Sequence, residues 1–324
     1  MDVFFFEAFE EEAAALKKYL GEDIVAGFTW KTIQEYGAEL PPAKLISVRT
    51  QSYLPEKWAD KLEGVLSRST GYDHLKAYKE KTQSKIGCGF LPIYCNRAVA
   101  EHALMMWMNL QRQFAQQVNN FESFLRDGIT GWEIEKKKLL VVGVGNIGYE
   151  IVKIGKGLNM KVSCVDLKVK FPDEQYVQIE EGVRNADIIV CSMNLNNSNM
   201  NYFNYDLLKK SKKGCLFINI SRGEMSPSCD LLRLLEENHL GGVGLDVFDA
   251  EKELAAVLRD KQNSDNSSVD AIIKMKEMSN VILTPHNAFN TVESVERKSI
   301  QSVEQINYFL REKRFIWSVP NINI

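Results

Sequence analysis

Short apolar runs recur along the first part of the chain at Val3–Phe6, Ile24–Ala26, Leu45–Val48 and Val65–Ser67, with polar segments of helical character between them. That alternation predicts a parallel α/β unit. A long helix is predicted next, from Arg97 to Arg126, because Ala103, Trp107, Leu110, Phe114, Val118, Phe121 and Leu125 are spaced three or four apart and would bury one face. A second series of runs follows at Leu139–Val142, Val162–Val165, Ile188–Cys191, Leu216–Ile220, Val243–Leu245 and Val281–Leu283. Six such strands suit a doubly wound sheet. A last helix, Val292–Arg311, is long enough to carry the chain back to the first domain, whereas the polar stretch 253–279 reads as a mobile surface excursion.

The chain has 324 residues, more than one hydrophobic core usually serves, and 45% of them are hydrophobic, enough to fill two domains. Its formal charge of −3, with basic residues scattered among acids, gives no field for nucleic acid. The N-terminal apolar run Val3–Phe6 is flanked by Asp2 and Glu7 and does not resemble a signal peptide. No stretch is apolar for long enough to span a membrane, so a soluble protein is expected, with no membrane partner. The six cysteines form no C-x-x-C pair and read as reduced core thiols, which fits a cytoplasmic location. No pair of His or Cys has ligand spacing, and no metal is expected.

The strand Leu139–Val142 runs directly into Gly143-Val-Gly145-Asn146-Ile147-Gly148, which opens a helix. The first glycine permits the tight turn, the second admits a pyrophosphate to the backbone, and the third lets helix pack on strand. Eighteen residues after Gly148 the next strand ends in Asp166, placed to accept both hydroxyls of a ribose. The same charge would repel a 2′-phosphate, so the expected cofactor is NAD rather than NADP, with Lys168 as the nearby cation. Three polar residues then follow three successive strands of the same half: Arg222, Glu251 and His286. A cation, a carboxylate and a histidine at the carboxyl ends of parallel strands make an acid–base set with an anion clamp.

Ile218-Asn-Ile-Ser-Arg-Gly223, Gly244-Leu-Asp-Val-Phe-Asp-Ala-Glu251 and Thr284-Pro-His-Asn-Ala288 resemble three motifs of the D-isomer-specific 2-hydroxyacid dehydrogenases, in particular the D-lactate dehydrogenase-like branch. Gly71-Tyr-Asp-His74, Tyr94 to His102 and the glycine loop extend the likeness, in order, over most of the chain. The resemblance implies two Rossmann-like domains: a flavodoxin-like substrate domain, 1–97 plus 298–324, and a doubly wound NAD-binding domain, 98–297, with the active site in the cleft between them. It implies hydride transfer between NAD(H) and a small 2-keto or 2-hydroxy acid, D-lactate or a close homologue. By the same resemblance Arg222 binds the substrate carboxylate, His286 donates the proton and Glu251 bonds His286.

The resemblance further assigns Ser69, Thr70 and Gly71 as backbone donors to the substrate carboxylate, Tyr94 as a substrate contact, and Asp246 as a neighbour of the nicotinamide carboxamide. Tyr53 falls near a pocket aromatic of that branch but reads better as a core residue. His102 and Glu101 read as partners in an interdomain hydrogen bond. A homodimer through the cofactor domains and the long helix is expected by analogy. Two departures stand out: Glu251-Lys252 replaces a common Glu-Pro, and Ser192-Met-Asn-Leu-Asn196 replaces a proline-containing loop. The competing readings are a phosphite dehydrogenase and a non-enzymatic NADH-sensing corepressor-like protein.

Overall fold

A computed structural model describes residues 1–320. The chain divides into two compact units, one of Met1–Cys95 with the segment from Asn290 onward, the other Asn96–Phe289. The return to the first unit therefore falls at 289/290, against the 297/298 set from the sequence. The reason is local: Glu296 and Lys298 of the C-terminal helix, Val292–Glu312, already pair with Lys18 and Glu12 of the first unit.

In the first unit β1 (Val3–Phe5), β2 (Ala26–Phe28), β3 (Leu45–Val48), β4 (Gly64–Ser67) and β5 (Gly87–Gly89) form a parallel sheet in the order β2-β1-β3-β4-β5. Strands covered on both faces carry continuous apolar runs, and β1, β3 and β4 are buried throughout. Helices α1 (Glu10–Tyr19), α2 (Ile33–Tyr36) and α3 (Asp73–Thr82) complete the unit, with α2 opened by a capping box between Thr32 and Glu35.

Beneath this sheet's carboxyl edge lies a buried ion cluster that no local pattern announces. The Glu12 carboxylate takes Arg68 Nε at 2.7 Å and Lys298 Nζ at 3.0 Å. The remaining Arg68 donors reach Ser47 Oγ at 3.0 Å and the Phe6 carbonyl at 2.7 Å. Burial pushes the Glu12 carboxyl up, yet Arg68, Lys298 and Arg49 together hold it down at about 2. Burial likewise lowers Lys298 to about 8 against the pull of Glu12.

The second unit begins with α4 (Asn96–Gln111) and α5 (Phe114–Phe121). The single helix expected over this span breaks because Gln113 adopts a left-handed conformation, φ 51°, and its side chain donates to the Thr130 carbonyl. Ala103, Trp107 and Leu110 are buried as expected, but Phe114, Val118, Phe121 and Leu125 are exposed. The sheet, all parallel, comprises β6 (Lys138–Val142), β7 (Lys161–Val165), β8 (Ile188–Cys191), β9 (Cys215–Asn219), β10 (Leu240–Leu245) and β11 (Val281–Leu283), in the order β11-β10-β9-β8-β6-β7. A lone parallel bridge from Cys164 to Tyr176 continues it beyond β7. Helices α6 (Asn146–Gly157), α7 (Ile179–Asn185), α8 (Tyr205–Leu208) and α9 (Ser228–Glu236) connect the strands.

The polar stretch 253–279 is not the loose excursion its composition suggests. It folds as most of α10 (Glu251–Asp260) and all of α11 (Ser267–Lys276), and Val269, Ala271, Ile272 and Met275 enter the core. Asp249 ties the segment down by accepting from Ser228 Oγ at 2.6 Å and Ser268 Oγ at 2.8 Å. Among the described residues, no helix is long and apolar enough to cross a membrane.

Candidate active site

The glycine loop, Asp166, Arg222, Asp246, Glu251 and His286 all lie beyond the carboxyl ends of strands of one parallel sheet, the edge at which such sheets bind ligands. The glycine loop follows β6. Gly143 has φ 92°, and a Cβ there would stand 2.6 Å from the Met193 nitrogen. At Gly148 a Cβ would collide with the Gly143 carbonyl, so neither position tolerates a side chain. Gly145 differs: a Cβ there would meet nothing within 4 Å. No side chain caps α6, whose first turn holds Asn146 and Ile147, so its donors stand at an open cradle suited to a phosphate.

Asp166, exposed at the tip of β7, accepts from Val144 N at 2.6 Å and Lys168 N at 3.1 Å. Its carboxylate is thereby aimed while keeping lone pairs for a ribose. These residues fit a nicotinamide dinucleotide. Two contributors were not visible in the sequence. Ser192 Oγ donates to the Gly143 carbonyl at 2.6 Å, so the unusual loop after β8 braces the glycine turn. Lys170 Nζ reaches Asn146 Oδ1 at 3.0 Å, placing a cation at the mouth of the cradle.

Arg222 stands on the turn after β9. Buried Asn219 shapes that turn, accepting from Ser221 N at 3.0 Å and donating to the Arg222 carbonyl at 2.9 Å. Arg222 Nη1 donates to the Ser221 carbonyl at 2.8 Å. Glu251 opens α10, where the helix dipole favours its charge, and Lys252 simply takes the second helical position. His286 follows β11 with φ 51°, a left-handed conformation unusual outside glycine. Its Nδ1 lies 2.8 Å from Glu251 Oε1. The pair expected from the motifs is thus formed.

Asp246, 1% exposed at the end of β10, is committed to the His286 loop. It accepts from Thr284 Oγ1 at 2.6 Å, Asn287 N at 2.8 Å and Ala288 N at 2.8 Å. Thr284 gives its one proton to Asp246, so His102, 3.0 Å away through Nε2, must donate to Thr284. Burial lowers the His102 pKa despite the opposing pull of Asp246, which keeps the ring neutral at physiological pH. The hydrogen bond expected between domains lies instead inside the second unit, and Glu101 pairs with Arg97 on α4 at 2.6 Å.

The remaining predicted residues belong to the first unit. Ser69, Thr70 and Gly71 form the turn after β4, braced by Ser69 Oγ to the Gly71 carbonyl at 2.6 Å and by Thr70 Oγ1 near Cys95 Sγ at 3.5 Å. Tyr94 is buried, its hydroxyl pushed well above the usual range by burial, and its carbonyl accepts from Arg297 at 2.8 Å. Tyr53, read as a core residue, is 52% exposed. The turn after β3 carries it outward, with its N–H and carbonyl both held by the Gln34 amide.

A glycine cradle suited to a dinucleotide with an aspartate at the tip of the next strand, and on the same sheet edge an arginine and a carboxylate-held histidine, fit an NAD-dependent oxidoreductase. The family described as D-isomer specific 2-hydroxyacid dehydrogenase, NAD binding domain, matches residues 102–288. A D-lactate dehydrogenase of Escherichia coli is 29% identical over 228 residues, 67% of this chain and 68% of its own. A D-specific alpha-keto acid dehydrogenase of Enterococcus faecium is 26% identical over 71% of this chain and 70% of its own. The crystal structure of a D-lactate dehydrogenase from Aquifex aeolicus, complexed with NAD and lactic acid, superposes with a TM-score of 0.86 at 25% identity, covering 98% of this chain and all (100%) of that one. The chain belongs to the D-isomer specific 2-hydroxyacid dehydrogenase family.

Proposed function

We propose that the protein reduces a short 2-keto acid to its D-2-hydroxy acid, with D-lactate and its close homologues as the frame for the product. The observation that carries this reading is the His286–Glu251 pair at 2.8 Å, on the sheet edge that holds the dinucleotide cradle. NADH, when bound, supplies the hydride. Glu251 accepts a hydrogen bond from Nδ1–H; the imidazolium form of His286 then passes its Nε2 proton to the keto oxygen and is left as the neutral ring with its remaining proton on Nδ1. The planar fork of Arg222 suits a bidentate grip on the carboxylate and polarises the carbonyl beside it. The backbone N–H groups of Ser69, Thr70 and Gly71 are proposed to take the same carboxylate, and the buried Tyr94 to support that turn.

The assay is NADH absorbance with a panel of glyoxylate, pyruvate, 2-ketobutyrate, hydroxypyruvate and phenylpyruvate, comparing wild type with His286→Ala. Turnover that collapses in the variant supports the assignment. Tight NADH binding with no turnover of any 2-keto acid would overturn it in favour of phosphite oxidation or cofactor sensing. We also propose a cytoplasmic homodimer. Support for the dimer comes from α5 and the loop after it, where Phe114, Val118, Phe121 and Phe124 are exposed, Phe121 to 75%. A monomer by light scattering refutes the dimer.

A further inference from the structure

In the second unit the segment after β7, residues 166–176, folds back along α6, the helix that the glycine loop opens. It returns to its own strand where Cys164 bridges Tyr176, with Cys164 N donating to the Gln175 carbonyl at 2.8 Å and Val177 N to the Cys164 carbonyl at 2.9 Å. Between those ends α6 holds it at three places. Phe171 stacks on Tyr149, with ring centroids 3.7 Å apart and planes 3° from parallel. Glu174, its side chain 7% exposed, pairs with Lys156 Nζ at 2.6 Å. The third tie comes from the residue before Phe171: Lys170 Nζ donates to Asn146 Oδ1 at 3.0 Å, at the first residue of the helix.

An aromatic stack and an ion pair account for themselves as packing. The third tie does not. Lys170 is exposed and its hydrogen-bond acceptor is a neutral amide, whereas both lysines of α6 meet carboxylates, Lys156 that of Glu174 and Lys153 that of Glu150, each at 2.6 Å. A neutral acceptor repays little of the side-chain entropy that a fixed lysine loses. Stability alone is therefore a weak reason to hold an ammonium at this spot.

The spot is the rim of the cofactor cradle. Asn146 follows Gly145, where a Cβ would meet nothing within 4 Å, and opens a helix whose first donors no side chain caps. The diphosphate of a dinucleotide brings two negative charges to such a place, and the helix end supplies only about half a positive one. Asp166, at the start of the same segment, adds a further negative charge. Charge balance at the cradle thus needs a cation, and Lys170 is held there. Its acceptor also says which group it serves, because the ammonium sits at the start of the helix, where phosphates bind, and not on the Asp166 carboxylate, which is suited to the ribose.

We propose that Lys170 binds the diphosphate of the cofactor, so that residues 166–176 form one wall of the dinucleotide site, with Asp166 for the ribose and Lys170 for the charge beside it. Phe171 and Glu174 are then positioning residues that hold this wall on α6. The inference concerns the grip on NAD(H) and does not depend on which 2-keto acid is reduced.

The test is titration with NADH and with NADPH, followed by fluorescence at low and at high salt, for wild type, Lys170→Gln and Lys170→Arg, each checked for an unchanged melting temperature. Lys161→Gln, at the exposed far end of β7, is the control for a lost surface charge. Glutamine still offers Asn146 a donor but carries no charge. Lys170→Gln is expected to raise the NADH Kd about 10-fold at low salt, the scale of one charge-assisted hydrogen bond, and to flatten its salt dependence. Lys170→Arg should retain most of the affinity, and Lys161→Gln should match wild type. An unchanged NADH Kd in Lys170→Gln overturns the proposal. A loss confined to NADPH also overturns it and assigns Lys170 to a 2′-phosphate, and a loss that leaves the salt dependence intact reduces Lys170 to a structural tie.

Discussion

Asp246→Asn separates the role seen in the structure, holding the His286 loop, from the one proposed by resemblance, contact with the nicotinamide carboxamide. Oδ1 serves Thr284 Oγ1 and Asn287 N, while Oδ2 serves Ala288 N. An amide has one acceptor oxygen, so at least one donor is left facing an NH₂ group. A hydrogen bond to a charged acceptor contributes about 1.5–3 kcal/mol and a neutral one about 1. Losing one bond outright and weakening two therefore costs about 3–4 kcal/mol, or roughly 10 °C in the melting temperature of a unit this size. His286, whose φ is 51°, loses the anchors that keep it strained. On the proposed role of His286, release of its imidazole should lower kcat about 10- to 100-fold. The checks are urea denaturation, steady-state kinetics and NADH titration by fluorescence. If Asp246 acts through the loop, stability and kcat fall together while the NADH Kd changes little. An unchanged melting temperature with weakened NADH binding would refute the reasoning and assign Asp246 to the cofactor.

Glu251→Gln keeps the shape of the pair but no longer fixes the Nδ1 proton, and kcat/KM should drop at least about 100-fold with the fold intact, measured by NADH absorbance. Gly148→Ala places a Cβ against the Gly143 carbonyl, whereas Gly145→Ala projects into open space. Calorimetry should show both losing NADH affinity, with only Gly148→Ala also losing melting temperature. Glu12→Gln strands Arg68 and Lys298, and should destabilise the protein by about 3–5 kcal/mol in urea melts. The Glu12 carboxyl lies near 2 in the fold against 4.5 ordinarily, so its stabilisation is complete above pH 4.5 and is lost as pH falls toward 2. That loss, about 3 kcal/mol across the window, should be missing from the Glu12→Gln variant.

The strands were legible because parallel strands buried on both faces leave unbroken apolar runs, as Leu139–Val142 and Ile188–Cys191 do. The candidate site residues Arg222, Glu251 and His286 could be proposed from the sequence because each follows such a run within a few residues. Where packing depends on residues distant in sequence, the pattern fails. Glu12, Arg68 and Lys298 look like solvated charges until the fold joins positions far apart along the chain. The 253–279 stretch looked loose because most of its polar residues face outward, while the few that enter the core, Val269 to Met275, are too few to dominate its composition. The break after α4 and the exposure of Tyr53 turn on backbone conformations set by Gln113 and Gln34, which no periodicity reports.

Both units use one device at their working edges. In each, a buried carboxylate at the end of one strand clamps the loop after its neighbour: Glu7 after β1 holds residues 49–52 beyond β3, and Asp246 after β10 holds Thr284–Ala288 beyond β11. A carboxylate can accept several donors at once, and such charge-assisted bonds are stronger than those a neutral side chain makes. Each clamp also includes a left-handed non-glycine residue, Glu7 at φ 53° or His286 at φ 51°. Desolvating an acid and straining the backbone both cost free energy, so each clamp works against stability unless its loop must be rigid. In the second unit the rigid loop presents His286.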